Sequence, residues 1–62
     1  MTHYLAVMWA ERLRTLGYTV TVEENAYDPF YLHCRSLNYN DYAFTVGEAA
    51  NLEAQGPVLT AD

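Results

Sequence analysis

His33 and Cys34 stand side by side and are the residue types that serve as general base and nucleophile. That chemistry needs the thiol and the imidazole within hydrogen-bond reach of each other. The surrounding residues alternate as a strand does, and strand neighbours point to opposite faces. The two side chains therefore cannot form a thiolate–imidazole pair. Cys34 reads as a small core residue, and His33 as a half-exposed strand residue. Paired carboxylates fare no better. Glu23 and Glu24 are adjacent on a strand and face opposite ways, so they cannot share one proton. Glu48 and Glu53 are five apart on a short helix and do not stack on one row. His3 and His33 have no second histidine at ligand spacing, and the single cysteine gives neither a metal cluster nor an intramolecular disulfide. There is no glycine-rich phosphate loop. The expectation is a chain that is not an enzyme and uses no cofactor and no metal.

Charge and aromatic content carry more information. The 62 residues hold eight acids, three arginines and no lysine, for a net charge of −5. Residues 1–15 are net +1, whereas residues 16–62 hold seven acids against Arg35 and are net −6. Such a surface repels a DNA duplex or an anionic membrane and attracts a basic protein surface. Six tyrosines accompany the acids: Tyr4, Tyr18, Tyr27, Tyr31, Tyr39 and Tyr42. Tyrosine offers a large contact area at low entropic cost and is enriched at interfaces. Aromatic residues on a small sheet also stack RNA bases, but that mode needs basic residues on the phosphates, and these are lacking. Direct nucleic-acid binding is not expected.

These side chains must be positioned by a small scaffold. A length of 62 residues excludes a barrel, a complete dinucleotide-binding fold and a second domain. Hydrophobic residues at 52% of the chain argue for a folded core rather than disorder. The spacing of Leu5, Trp9, Leu13 and Leu16 predicts a helix over residues 2–16, with Thr2 as N-cap and Gly17 at its end. Residues 18–24 alternate Tyr18, Val20 and Val22 with Thr19, Thr21 and Glu23, a half-buried strand. Residues 24–29 form a loop in which Asp28 precedes Pro29. A second strand is expected over 30–37, a turn over 38–41 and a third strand over 42–46. Phe30, Leu32, Phe44 and Val46 are expected to join Val20 and Val22 on the face beneath the first helix. Thr45 and Glu48 form a capping-box pattern for a short helix to about Gln55, ended by Gly56 and Pro57. The whole is one α+β domain, α-β-β-β-α, a three-stranded antiparallel sheet with an N-terminal and a short C-terminal helix. Residues 57–62 are expected to be a flexible tail or a short edge strand through Val58 and Leu59. No basic n-region and no membrane-length apolar stretch is present, which suits the cytoplasm.

Small size, a compact α/β pattern, the absence of lysine, and the acids Glu23, Glu24, Asp28, Asp41, Glu48 and Glu53 set among tyrosines together resemble the small acidic anti-CRISPR proteins of phages and other mobile elements. The resemblance is one of type and spans the chain. It implies a non-enzymatic inhibitor that occupies a basic DNA-binding surface of a CRISPR effector, such as the groove that reads the PAM-containing duplex. Carboxylates would stand in for phosphates, and Tyr31 and Tyr39 would supply apolar contact. The expected binding set is Glu23, Glu24, Asp28, Tyr31, Tyr39, Asp41, Glu48 and Glu53, on a monomer or weak homo-oligomer. Two other classes stay open: an acidic interaction module, such as a toxin-neutralising or regulatory subunit completed by a partner, and a small enzyme subunit whose site forms at an oligomer interface.

Overall fold

The computed structural model describes residues 1–27, 29–37 and 39–58. Helix α1 runs His3–Arg14, and Thr2 caps it by accepting the Leu5 N–H at 3.2 Å. Strands β1 (Thr19–Glu23), β2 (Tyr31–Ser36) and β3 (Tyr39–Ala43) form an antiparallel meander in the order β1-β2-β3. Helix α2 (Val46–Ala54) follows, capped by Thr45, whose hydroxyl accepts the Glu48 N–H at 3.1 Å. The α-β-β-β-α arrangement is therefore as the alternation and capping signals predict. Among the described residues, no helix is long and apolar enough to cross a membrane.

Both helices lie on one face of the sheet. The buried centre of α1 is Ala6, Trp9, Ala10 and Leu13, while Leu5 and Leu16 pack at its margins. The expected leucine stripe is thus rotated toward two alanines. The reason is that α1 must meet both the sheet and α2, and small residues let these neighbours approach. Val20, Leu32, Cys34 and Ala43 rise from the sheet, and Ala49 and Leu52 descend from α2 to close the core. Arg12 on α1 clasps Glu53 on α2 through two bonds of 2.7 and 2.8 Å, with its guanidinium 4.6 Å from the centre of the Trp9 ring.

Gly17 ends the first helical segment at φ +104°, a backbone region that side chains disfavour. A Cβ there would also meet the Val58 side chain at 3.4 Å. Val58 is anchored by its N–H, which donates to the Leu16 carbonyl at 2.7 Å, and it packs against the core. Leu59, the other residue of the expected edge strand, lies outside the described residues.

The third strand differs from expectation. It spans Tyr39–Ala43 rather than 42–46, so Tyr39, Asn40 and Asp41 belong to the strand instead of a turn. Ser36 pairs with Tyr39, leaving two residues between β2 and β3. Because side chains alternate, this register turns Tyr39 and Ala43 toward the core and Tyr42 and Phe44 away from it. Val46 opens α2 and is 37% exposed. Aromatic residues occupy both parities of this segment, so alternation alone does not choose the face.

Candidate partner-binding surface

Turning Tyr42 and Phe44 outward builds an aromatic row on the open face of the sheet. Tyr31 lies 5.1 Å from Phe44 and 5.9 Å from Tyr42 between ring centres, and His33 stacks on Tyr42 at 4.5 Å with planes 13° apart. Glu23 organises the polar end of this row. Its carboxylate accepts from the Thr21 hydroxyl at 2.9 Å and the Tyr31 hydroxyl at 3.3 Å, and lies 3.2 Å from His33 Nδ1. The Thr21 hydroxyl and, secondarily, His33 hold the Glu23 carboxyl below its ordinary range. Burial, followed by the Glu23 charge, pushes the Tyr31 phenol up. His33 Nε2 meets the Asn40 side-chain oxygen. The imidazole is thus held at both nitrogens, and among the described residues no hydroxyl or thiol is poised on Nε2 for activation. Cys34 points into the core, fully buried, and desolvation raises its thiol to about 11. A buried, protonated thiol is a poor nucleophile.

A second feature lies where β3 meets α2. Tyr39, Asp41, Tyr42, Glu48, Asn51 and Gln55 line an open groove of about 180 Å³ whose floor includes Leu52. Tyr39 leans on Tyr18, with ring centres 5.7 Å apart, and donates its hydroxyl to Asp41 at 3.1 Å. Burial, then the hydrogen bond to Asp41, pushes the Tyr39 phenol up to about 12. Asp41 also accepts the Tyr42 N–H at 2.7 Å, which fixes its carboxylate at the groove. Glu48 sits in the first turn of α2, where the helix N-terminus favours an anion. Among the described residues, neither Asp41 nor Glu48 forms an ion pair. Tyr42, 40% exposed, belongs to both the groove and the aromatic row.

The expected binding residues are therefore dispersed. Tyr39, Asp41 and Glu48 come together at the groove, and Glu23 and Tyr31 come together on the open sheet face. Glu24 is exposed just beyond β1. Glu53 is engaged by Arg12 between the helices, which lowers its carboxyl through hydrogen bonding first and charge second. Asp28 lies outside the described residues. Besides the groove residues Asn51 and Gln55, the expected set lacks the sheet-face residues Tyr42, Phe44, His33 and Asn40. A two-residue connection after Ser36 is the signal that finds them, because that register alone places Tyr42 opposite His33.

No protein-family model matches the chain, and no curated protein or solved structure is significantly similar to it.

Proposed function

We propose that this chain is a non-enzymatic binding protein whose β3–α2 groove engages a basic surface on a protein partner. The observation that carries this reading is the groove itself: two carboxylates without an ion pair among the described residues, fixed beside two tyrosines. A guanidinium suits such a site, since it pairs with carboxylates and stacks on aromatic rings. The net charge of −5 speeds encounter with a basic partner and disfavours nucleic acid. The acidic anti-CRISPR proteins that the sequence resembles supply a concrete form of this function. In that form the partner is a CRISPR effector subunit, and Asp41 and Glu48 take the places of phosphates in its DNA- or PAM-binding groove. The protein then acts in the bacterial cytoplasm as an inhibitor.

The test is displacement of target duplex DNA from a purified CRISPR effector complex at several salt concentrations. The expected result is displacement that weakens as salt rises and falls at least about tenfold in Asp41→Arg and Glu48→Arg. Glu24→Arg, away from the groove, is expected to have a smaller effect. Displacement unaffected by either groove reversal, in variants that retain the native circular dichroism, would contradict the proposal.

A further inference from the structure

The open face of the sheet has a different electrostatic character from the groove. Its register lays out three rows: Thr19, Arg35 and Asn40; then Thr21, His33 and Tyr42; then Glu23 and Tyr31, with Phe44 beside Tyr31. One end therefore presents a cation and the other an anion among aromatic rings. Arg35 forms no ion pair among the described residues and is exposed. A basic partner is repelled by Arg35 and an acidic one by Glu23, but a second copy of the same face satisfies both.

We infer that the open sheet face pairs with the same face of a second copy, with Arg35 of each chain seated on Glu23 and Tyr31 of the other. The symmetry follows from the charges. A twofold axis lying between the sheets and crossing the strands at His33 exchanges the two end rows, and both Arg35–Glu23 contacts form at once. The same rotation sets Arg35 over the Tyr31 ring, a cation–π arrangement, and brings the two His33–Tyr42 rows together along the axis. An axis along the strands would instead place Arg35 on Arg35 and leave both Glu23 side chains at the far end, away from either arginine. Charge complementarity thus selects one of the two face-to-face arrangements.

Edge pairing is the competing route to association, and both edge strands resist it. Arg14 donates two bonds, at 2.7 and 3.2 Å, to the Val20 carbonyl on β1, and Asp41 accepts the Tyr42 N–H on β3. The face itself is small. Three strands of about five residues cover roughly 17 by 14 Å, well under the roughly 800 Å² per partner of a standard stable interface. The dimer is accordingly of the weak, transient class, populated only at high protein concentration. This self-association is separate from the binding of a basic partner and is tested without one.

Sedimentation equilibrium from about 10 µM to 1 mM provides the test, using the wild type, Arg35→Glu, Glu23→Arg and an equimolar mixture of the two variants. Each variant alone should stay monomeric at 1 mM, because its face then carries one sign only. The mixture should dimerise at least as well as the wild type, since a face with an acid at both ends then meets a face with an arginine at both ends. Arg35 is exposed, so Arg35→Glu carries the test even if Glu23→Arg disturbs the fold. A wild type that is monomeric at 1 mM, or an Arg35→Glu variant that dimerises like the wild type, would overturn the inference.

Discussion

The helical side and the β3 side of this molecule treat their carboxylates in opposite ways. On the helical side, Glu53 is held by both bonds of the Arg12 guanidinium, which itself lies over Trp9. Acid, base and aromatic ring there form a closed set that ties α1 to α2. On the β3 side, Asp41 and Glu48 stand beside Tyr39 and Tyr42 with the acid and the aromatic components but no base from the described residues. The contrast comes from where the chain places its few cations. Arg12 holds the two helices together, Arg14 covers a carbonyl of the β1 edge, and Arg35 stands on the open sheet face. The groove is left as a place for a cation supplied by another molecule.

The difference is broken most drastically from the helical side. Trp9 is 8% exposed and lies at the junction of the core and the Arg12–Glu53 bridge. Trp9→Ala should cost about 3–5 kcal/mol, a large share of the stability of so small a domain. Thermal melting followed by circular dichroism measures this; a melting temperature within a few degrees of wild type would mean that the ring is not part of the core.

A subtler probe is acid. The Glu53 and Glu23 carboxyls titrate lower in the folded chain than in the unfolded one. Their stabilisation is complete above the unfolded carboxylate range and is lost as pH falls through the lowered folded values. Melting temperature should therefore decline on acidification below about pH 5. Glu53→Gln, which keeps the shape but removes the charge, should flatten part of that decline. An unchanged pH profile would show that the bridge contributes nothing to folding.

The smallest effect on stability is expected at the groove. Asp41→Asn keeps an oxygen for the Tyr42 N–H, and Glu48→Gln keeps a side chain suited to the start of α2. Each should shift stability by no more than about 0.5 kcal/mol in the same melts. That separation of folding from binding distinguishes the groove from the Arg12–Glu53 side.

Much of the scaffold is legible in the sequence because it is written in local signals. Thr2 and Thr45 mark helix starts, Gly17 marks a left-handed stop, and the Thr/Val alternation of β1 fixes both its type and its face. The surface is harder to read because it depends on one register. Tyr39, Tyr42 and Phe44 are all large and apolar enough for either face, and the choice between them rests on how β2 and β3 pair. That pairing separates two groups of acids and tyrosines that look continuous along the chain. Glu53 shows the same limit: its partner Arg12 is 41 residues away and nothing local announces it.

The central claim, that the β3–α2 groove accepts a cationic side chain, is tested most directly by titrating an isotope-labelled sample with a short arginine-rich peptide while recording amide chemical shifts. The account predicts shifts concentrated at Tyr39, Asp41, Tyr42, Glu48 and Asn51, diminishing with added salt and lost in the Asp41→Asn/Glu48→Gln double variant. Shifts concentrated elsewhere, or a response that the double variant leaves intact, would contradict it.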